Sequence, residues 1–226
     1  LFGAVMGAPH LVARLTHGAR GAVVRLTLDS GKQALAVRKL GEHLDRWKAQ
    51  GVGQGALMVV DHQSGEVLAY VGNAGWGRAT EAGFIDLAQA ARSPGSILKP
   101  FLYARAMEAG RLTPKRVVLD LPRDYDLWTP RNYSRRFAGP VSTERALDRS
   151  LNAPAVELEQ NLGDRGLGDF LSGCLGNRLT ERRRAELRAG GISVPLGTFR
   201  VTLEEIAILF RILAFQGVDG GLRFTQ

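Results

Sequence analysis

The sequence predicts a mixed α/β (α+β) fold, and three observations carry that expectation. Two apolar runs, Gly55 to Asp61 and Glu66 to Val71, flank the polar turn His62-Gln63-Ser64-Gly65 and read as a β-hairpin. Before them, Ala36, Leu40, Leu44 and Trp47 fall at helical spacing within Lys32 to Gln50, which predicts one amphipathic helix. After them, the helical pattern dominates, beginning with an apolar stretch that opens at Ser96.

In chain order, residues 1–22 are rich in Gly and Ala with scattered basic residues and read as a linker. Val23 to Leu28 is expected to be a short strand, stopped by Asp29-Ser30-Gly31. Ala56 to Val60 is almost entirely apolar, so the hairpin is expected to be a central strand pair buried on both faces. A polar, Gly-rich stretch from Gly72 to Gly83 leads to the Ser96 helix, which should end near Gly110. Residues 111–141 hold most of the prolines and read as a long irregular excursion of the kind that shapes a cleft. In Thr202-Leu203-Glu204-Glu205 a hydroxyl and a carboxylate three apart form a capping box. Ile206, Leu209, Phe210 and Leu213 follow and Gly217 stops the pattern, so a helix is expected over 202–216.

Composition narrows the function classes. The 226 residues are 45% hydrophobic, enough for a full core, and no apolar run approaches a membrane span. The formal net charge of +8 would favour an anionic polymer, a membrane surface or nucleic acid, and charge alone does not choose among them. The run Arg182-Arg183-Arg184 is interleaved with Glu181 and Glu186 and reads as a solvated helix face, and no nucleic-acid motif accompanies it. One cysteine, Cys174, excludes an internal disulfide and a thiolate metal site, and reads as a small core residue. His10, His17, His43 and His62 lack metal-ligand spacing, so neither a metal nor a cofactor is expected.

The chemistry concentrates in Arg92-Ser93-Pro94-Gly95-Ser96-Ile97-Leu98-Lys99-Pro100-Phe101. A serine three residues before a lysine at a helix start puts hydroxyl and amine on one face, within reach of a shared proton. A hydroxyl needs a base to attack a carbonyl, and a lysine serves when burial and the positive end of a helix depress its pKa. Alone, the pair also fits a capping serine beside a solvated lysine. Downstream, Ser150-Leu151-Asn152 stands at the junction of two helices ahead of Pro154, where a helix cap is the plainer reading. Together, Ser-x-x-Lys and Ser-x-Asn form two thirds of the signature of penicillin-binding proteins and class A β-lactamases, which a Lys-Thr-Gly on a later strand completes.

Beyond these motifs, Asn132-Tyr133, Gly139-Pro-Val141, Ala146-Leu-Asp-Arg-Ser150-Leu-Asn152-Ala-Pro-Ala155 and Pro195-Leu-Gly-Thr198 also match. From about residue 8 to residue 217 the chain resembles the transpeptidase domain of class A, bifunctional penicillin-binding proteins, most like the 1C type. The resemblance implies a central antiparallel sheet flanked by helices, with a helical subdomain. It also implies that residues 1–22 are a linker after an absent glycosyltransferase domain. Residues 23–226 would be the transpeptidase domain, its sheet incomplete and its C-terminal part missing, since no Lys-Thr-Gly occurs.

By the same resemblance, Ser96 is the nucleophile, Lys99 its proton acceptor, Ser150 a proton relay to the leaving nitrogen, and Asn152 a substrate-binding residue that orients Lys99. The implied activity is DD-transpeptidation of peptidoglycan stem peptides ending in D-Ala-D-Ala through an acyl-enzyme that β-lactam antibiotics also form. The implied location is the periplasmic, extracytoplasmic face of the inner membrane, reached through an absent upstream anchor and shared with other cell-wall synthesis proteins. Two other readings stay open. One is a non-catalytic β-lactam sensor or scaffold. The other is a β-lactamase, which ranks below it because no Glu-x-x-Leu-Asn follows Ser150; the nearest match, Glu144 to Asp148, precedes it.

Overall fold

The computed structural model describes residues 7–17, 23–77, 82–126, 128–215, 217 and 221–226. The chain divides into two compact units, one of residues 1–92 and 201–226, the other of residues 93–200.

The first unit is built around a hairpin of β1 (Leu57–Val60) and β2 (Val67–Val71), with Leu57 opposite Val71. Its turn is closed by Asp61, whose Oδ1 accepts the N–H groups of Gln63 and Ser64 while its own N–H donates to Glu66 O. A register shift at Val59/Val60 splits the buried face of β2. Val67 and Tyr70 join Leu11, Leu28 and Ala88 in one apolar cluster, and Ala69 and Val71 join Ala36, Leu40 and Leu44 in another. Two-faced burial therefore belongs to β2, not to the Ala56 to Val60 run: β1 is half-buried and its Val59 is exposed. The reason is pairing, since β2 is bonded on its other side by Arg223, which accepts Val67 N–H at 2.8 Å, whereas β1 has β2 alone among the described residues.

Helix α1 (Pro9–Leu15) lies inside the segment read as a linker, and Leu11 is fully buried there; the rest of that segment is partly outside the described residues. The expected strand from Val23 to Leu28 is reduced to a single bridge, Leu26 to Thr225, flanked by the bonds from Thr27 N–H to Phe224 O and from Gln226 N–H to Arg25 O. Helix α2 (Ser30–Trp47) is capped by Asp29 and packs Ala36, Leu40 and Leu44 on the hairpin, while Trp47 stays outside. Its buried Gln33 donates to Gly7 O and Tyr70 O and accepts Tyr70 N–H, satisfying strand groups that a hydrocarbon could not. Helix α8 (Leu203–Ala214) carries the expected capping box, with Thr202 and Glu205 exchanging bonds at 3.1 and 2.9 Å. The Gly72 to Gly83 stretch falls partly outside the described residues.

The second unit is mostly helical: α3 (Lys99–Glu108), α4 (Thr143–Asp148), α5 (Asn152–Leu162), α6 (Leu167–Leu175) and α7 (Glu181–Gly190). Helix α3 buries Phe101, Leu102, Tyr103 and Ala106 while Arg105 and Glu108 pair on its outer side, and Phe101 stacks on Phe170 of α6. The irregular excursion over 111–141 contains order that its composition hides, because β3 (Val117–Asp120) pairs antiparallel with β4 (Gly139–Ser142). On α7, Arg182 is solvated and pairs with Glu186, as expected, but Arg184 folds inward to Gly176 O and Ser172.

Candidate active site

All four predicted site residues lie in the second unit. Ser96 is exposed in a 3₁₀ turn, Gly95–Leu98, that runs directly into α3, and the backbone N–H of Lys99 donates to Ser96 O. Two features make the turn. Gly95 has φ +57, which a side chain would resist, and Pro100 sits in the first turn of α3, where its missing N–H costs nothing. Ser93 Oγ donates to Gly197 O at 2.7 Å, tying the turn to the 3₁₀ segment Gly191–Leu196 and the glycine after it.

Lys99 is 1% exposed, and its ammonium meets three acceptors. Nζ donates to Ser150 O at 2.6 Å, to Asn152 Oδ1 at 2.6 Å and to Ser150 Oγ at 3.2 Å. Lysine, Ser150 and Asn152 are thus one cluster, and Ser96 is one helical turn ahead of it. Burial pushes the Lys99 amine down to about 8, against the field of Asp120, which raises it. Its place at the positive end of α3 works in the same direction as burial. When neutral, the amine keeps two N–H donors and gains a lone pair. The carbonyl of Ser150 and the amide oxygen of Asn152 only accept, so they hold the two N–H groups. The longer contact is to a hydroxyl, which can reverse and donate.

Ser150 itself has φ +51, the left-handed region that glycine normally fills. The cause is the end of α4. Leu151 N–H donates to Ala146 O and Ser150 N–H to Leu147 O, both at 2.9 Å, a Schellman closure in which Ser150 takes the left-handed position. This turn brings Ser150 O and Oγ to the same ammonium. Asn152 then opens α5, and its N–H is accepted by Asn132 Oδ1 at 2.7 Å instead of by a capping side chain at Leu151. Its Nδ2 donates to Arg131 O at 2.8 Å, which leaves Oδ1 for Lys99.

Two residues of this cluster were not among the predicted site. Asp120 is fully buried at the end of β3 and accepts both Asn132 Nδ2, at 2.9 and 2.8 Å, and the N–H of Ala138 at 2.7 Å. Asn132 is 4% exposed and also donates to Arg136 O. Asn132 lies in a matched motif, yet nothing in its spacing from Asn152 signals a contact across twenty residues. Asp120 falls in the stretch read as an irregular excursion, where no motif marks it. Among the described residues no group of three or more His, Cys, Asp or Glu is arranged to hold a metal ion.

Residues 55–182 match the model of the penicillin binding protein transpeptidase domain, more than half of the chain. The chain belongs to this family. It is 34% identical to penicillin-binding protein 1C of Escherichia coli over 202 residues, 88% of this chain and 25% of that protein. Against penicillin-binding protein 1A of Neisseria meningitidis it is 30% identical over 214 residues, 92% of this chain and 23% of the other. The chain thus spans about a quarter of the length of the curated relatives it matches. Its fold is that of penicillin-binding protein PonA1 from Mycobacterium tuberculosis, with a TM-score of 0.76 over 97% of this chain and 58% of that one at 23% identity. A second structure of PonA1, in complex with penicillin V, superposes with a TM-score of 0.77. The mixed fold and the class A family resemblance of the sequence reading agree with these matches.

Proposed function

We propose that this chain is the acyl-transfer part of a serine DD-transpeptidase that cross-links peptidoglycan stem peptides and is acylated by β-lactams. The observation that carries the reading is the convergence of Lys99 Nζ on Ser150 and Asn152 one helical turn after an exposed Ser96. Family membership supports the reaction class, and relatives named penicillin-binding proteins support the ligand.

In this reading the neutral Lys99 amine takes the proton of Ser96 as its Oγ bonds to the carbonyl carbon of the penultimate D-alanine. The C–N bond to the terminal D-alanine then breaks, and the leaving nitrogen receives a proton from Lys99 by way of the Ser150 hydroxyl. An amine of a neighbouring stem attacks the resulting ester, its proton returns to Lys99, and Ser96 leaves with a proton restored. Asn152 holds the Lys99 amine and presents its amide to the substrate. A β-lactam offers the same carbonyl with a leaving nitrogen that stays tethered, so its ester persists. Residues 1–22 would follow a glycosyltransferase domain and 23–226 would belong to the transpeptidase. The place of action would be the extracytoplasmic side of the inner membrane. Among the described residues no helix is long and apolar enough to cross a membrane.

Release of D-alanine from a pentapeptide donor by the intact protein that carries this chain is the test. Stoichiometric release with ester formation is expected. Penicillin binding without any release would favour the sensor, and rapid hydrolysis of the penicilloyl ester would favour a β-lactamase.

A further inference from the structure

Behind Lys99 and Asn152 runs a directed chain of hydrogen bonds that begins at a buried charge. Asp120, a carboxylate with no exposure, can only accept, so it fixes which end of the Asn132 amide turns toward it. Nδ2 must face Asp120 and Arg136 O, and Oδ1 is left to face Asn152 N–H. The same strand of backbone supplies Arg131 O, which takes Asn152 Nδ2 and turns Oδ1 toward the Lys99 amine. Each amide along this route could otherwise flip by half a turn at little cost in shape. The carboxylate at the far end removes that freedom.

We infer that Asn132 and Asp120 are positioning residues of the acyl-transfer site: Asp120 sets the polarity of Asn132, and Asn132 with its neighbour Arg131 locks Asn152 with its oxygen on Lys99. This rests on the function proposed above. Asp120 also acts on Lys99 through space, favouring the ammonium. No other charge on the packed elements stands beside the amine. On α5, Glu157 pairs with Arg123 and Glu159 accepts the N–H of Leu167. On α4, Glu144, Arg145, Asp148 and Arg149 are exposed. On α6, Asp169 is exposed beside Arg105 of α3, and the 3₁₀ segment Gly191–Leu196 has no ionisable side chain. Tyr103 of α3, buried with a hydroxyl that has no hydrogen-bond partner, is held neutral by burial and by the same Asp120 field.

The experiment is the rate of acylation by a fluorescent penicillin across about pH 6 to 10, in the intact protein, for wild type, Asp120→Asn and Asn132→Ala. For Asp120→Asn the rise of rate with pH should begin at lower pH, by about half a unit or more, because removing the carboxylate's charge eases deprotonation of Lys99. The limiting rate should fall with it, since an uncharged amide no longer dictates how Asn132 points. For Asn132→Ala the limiting rate should fall about tenfold or more while the midpoint stays near that of the wild type and the penicillin dissociation constant changes little. A purely structural role would lower the rate at every pH and leave the Asp120→Asn midpoint in place, and that result would overturn the inference. Should Asp120→Asn lose its melting transition, Asn132→Ala decides alone, and wild-type acylation in it refutes the positioning role. A wild-type protein that penicillin never labels at Ser96 would sink both this inference and the function beneath it.

Discussion

Serine avoids the left-handed conformation that Ser150 adopts, at a cost of roughly 1–2 kcal/mol relative to an ordinary backbone. Glycine would fit the Schellman turn without strain, so what the strain secures is the hydroxyl beside the Lys99 amine. Ser150→Gly should therefore raise stability by about 0.5–1 kcal/mol, a shift of a few degrees in thermal midpoint, while acylation slows by about tenfold or more. A calorimetric midpoint that drops in this variant would mean that the hydroxyl, not the turn, holds the junction. The second residue-scale consequence concerns pH. Buried Lys99 titrates near 8, and only its neutral form can accept a proton, so acylation should rise with pH through about 8. Lys99→Met keeps the length and apolar stem without the amine; it should lose about a hundredfold or more in rate and flatten that rise. A profile flat from neutral pH upward in the wild type would remove Lys99 from the chemistry.

At the scale of elements, the site depends on how closely two backbones approach. A Cβ at Gly197, where φ is +92, would strike the backbone N of Gly95 and come within 2.5 Å of its Cα. Gly197→Ala should destabilise the protein by about 2–4 kcal/mol and displace the Ser96 turn enough to cost roughly 100-fold in acylation. Denaturant unfolding and penicillin labelling read the two effects separately. The sequence conveyed some elements and not others, for physical reasons. Helix α8 was legible because its capping box and apolar period are local signals, and α2 because its apolar stripe is, although its cap Asp29 and first residue Ser30 were read as the stop of a strand. The β3–β4 pair was not legible, because Gly139 and Pro140 disguise one strand and the pairing joins segments about twenty residues apart. The strand expected at Val23 to Leu28 makes one bridge, because its partner is the segment Phe224–Gln226, which lies about 200 residues away in sequence and offers pairing for only one residue pair.

For the molecule as a whole, Ser96, Lys99, Ser150 and Asn152 fall in one of the two compact units, residues 93–200, so the four proposed site residues are carried by a single piece of chain. That unit also carries 18 of the 30 basic residues against 12 of the 22 acidic ones, so most of the net positive charge lies there. Ser96, Lys99, Ser150 and Asn152 were named as candidates from two motifs taken together with a family resemblance, and the fold gathers Lys99, Ser150 and Asn152 into one cluster. Asp120 and Asn132 were not among the candidates, because a buried network is recognised by what it touches, and burial of a polar pair leaves no mark on the sequence. Everything argued about the chemistry requires one hydroxyl to be the nucleophile. Incubation of the intact protein with a penicillin, trypsin digestion and fragment-ion mass spectrometry read this directly. The peptide Ser93–Arg105, in which Pro100 shields Lys99 from cleavage, should gain the mass of one penicilloyl group on Ser96. An adduct on Ser93, on Ser150 or on no serine of the second unit would contradict the account.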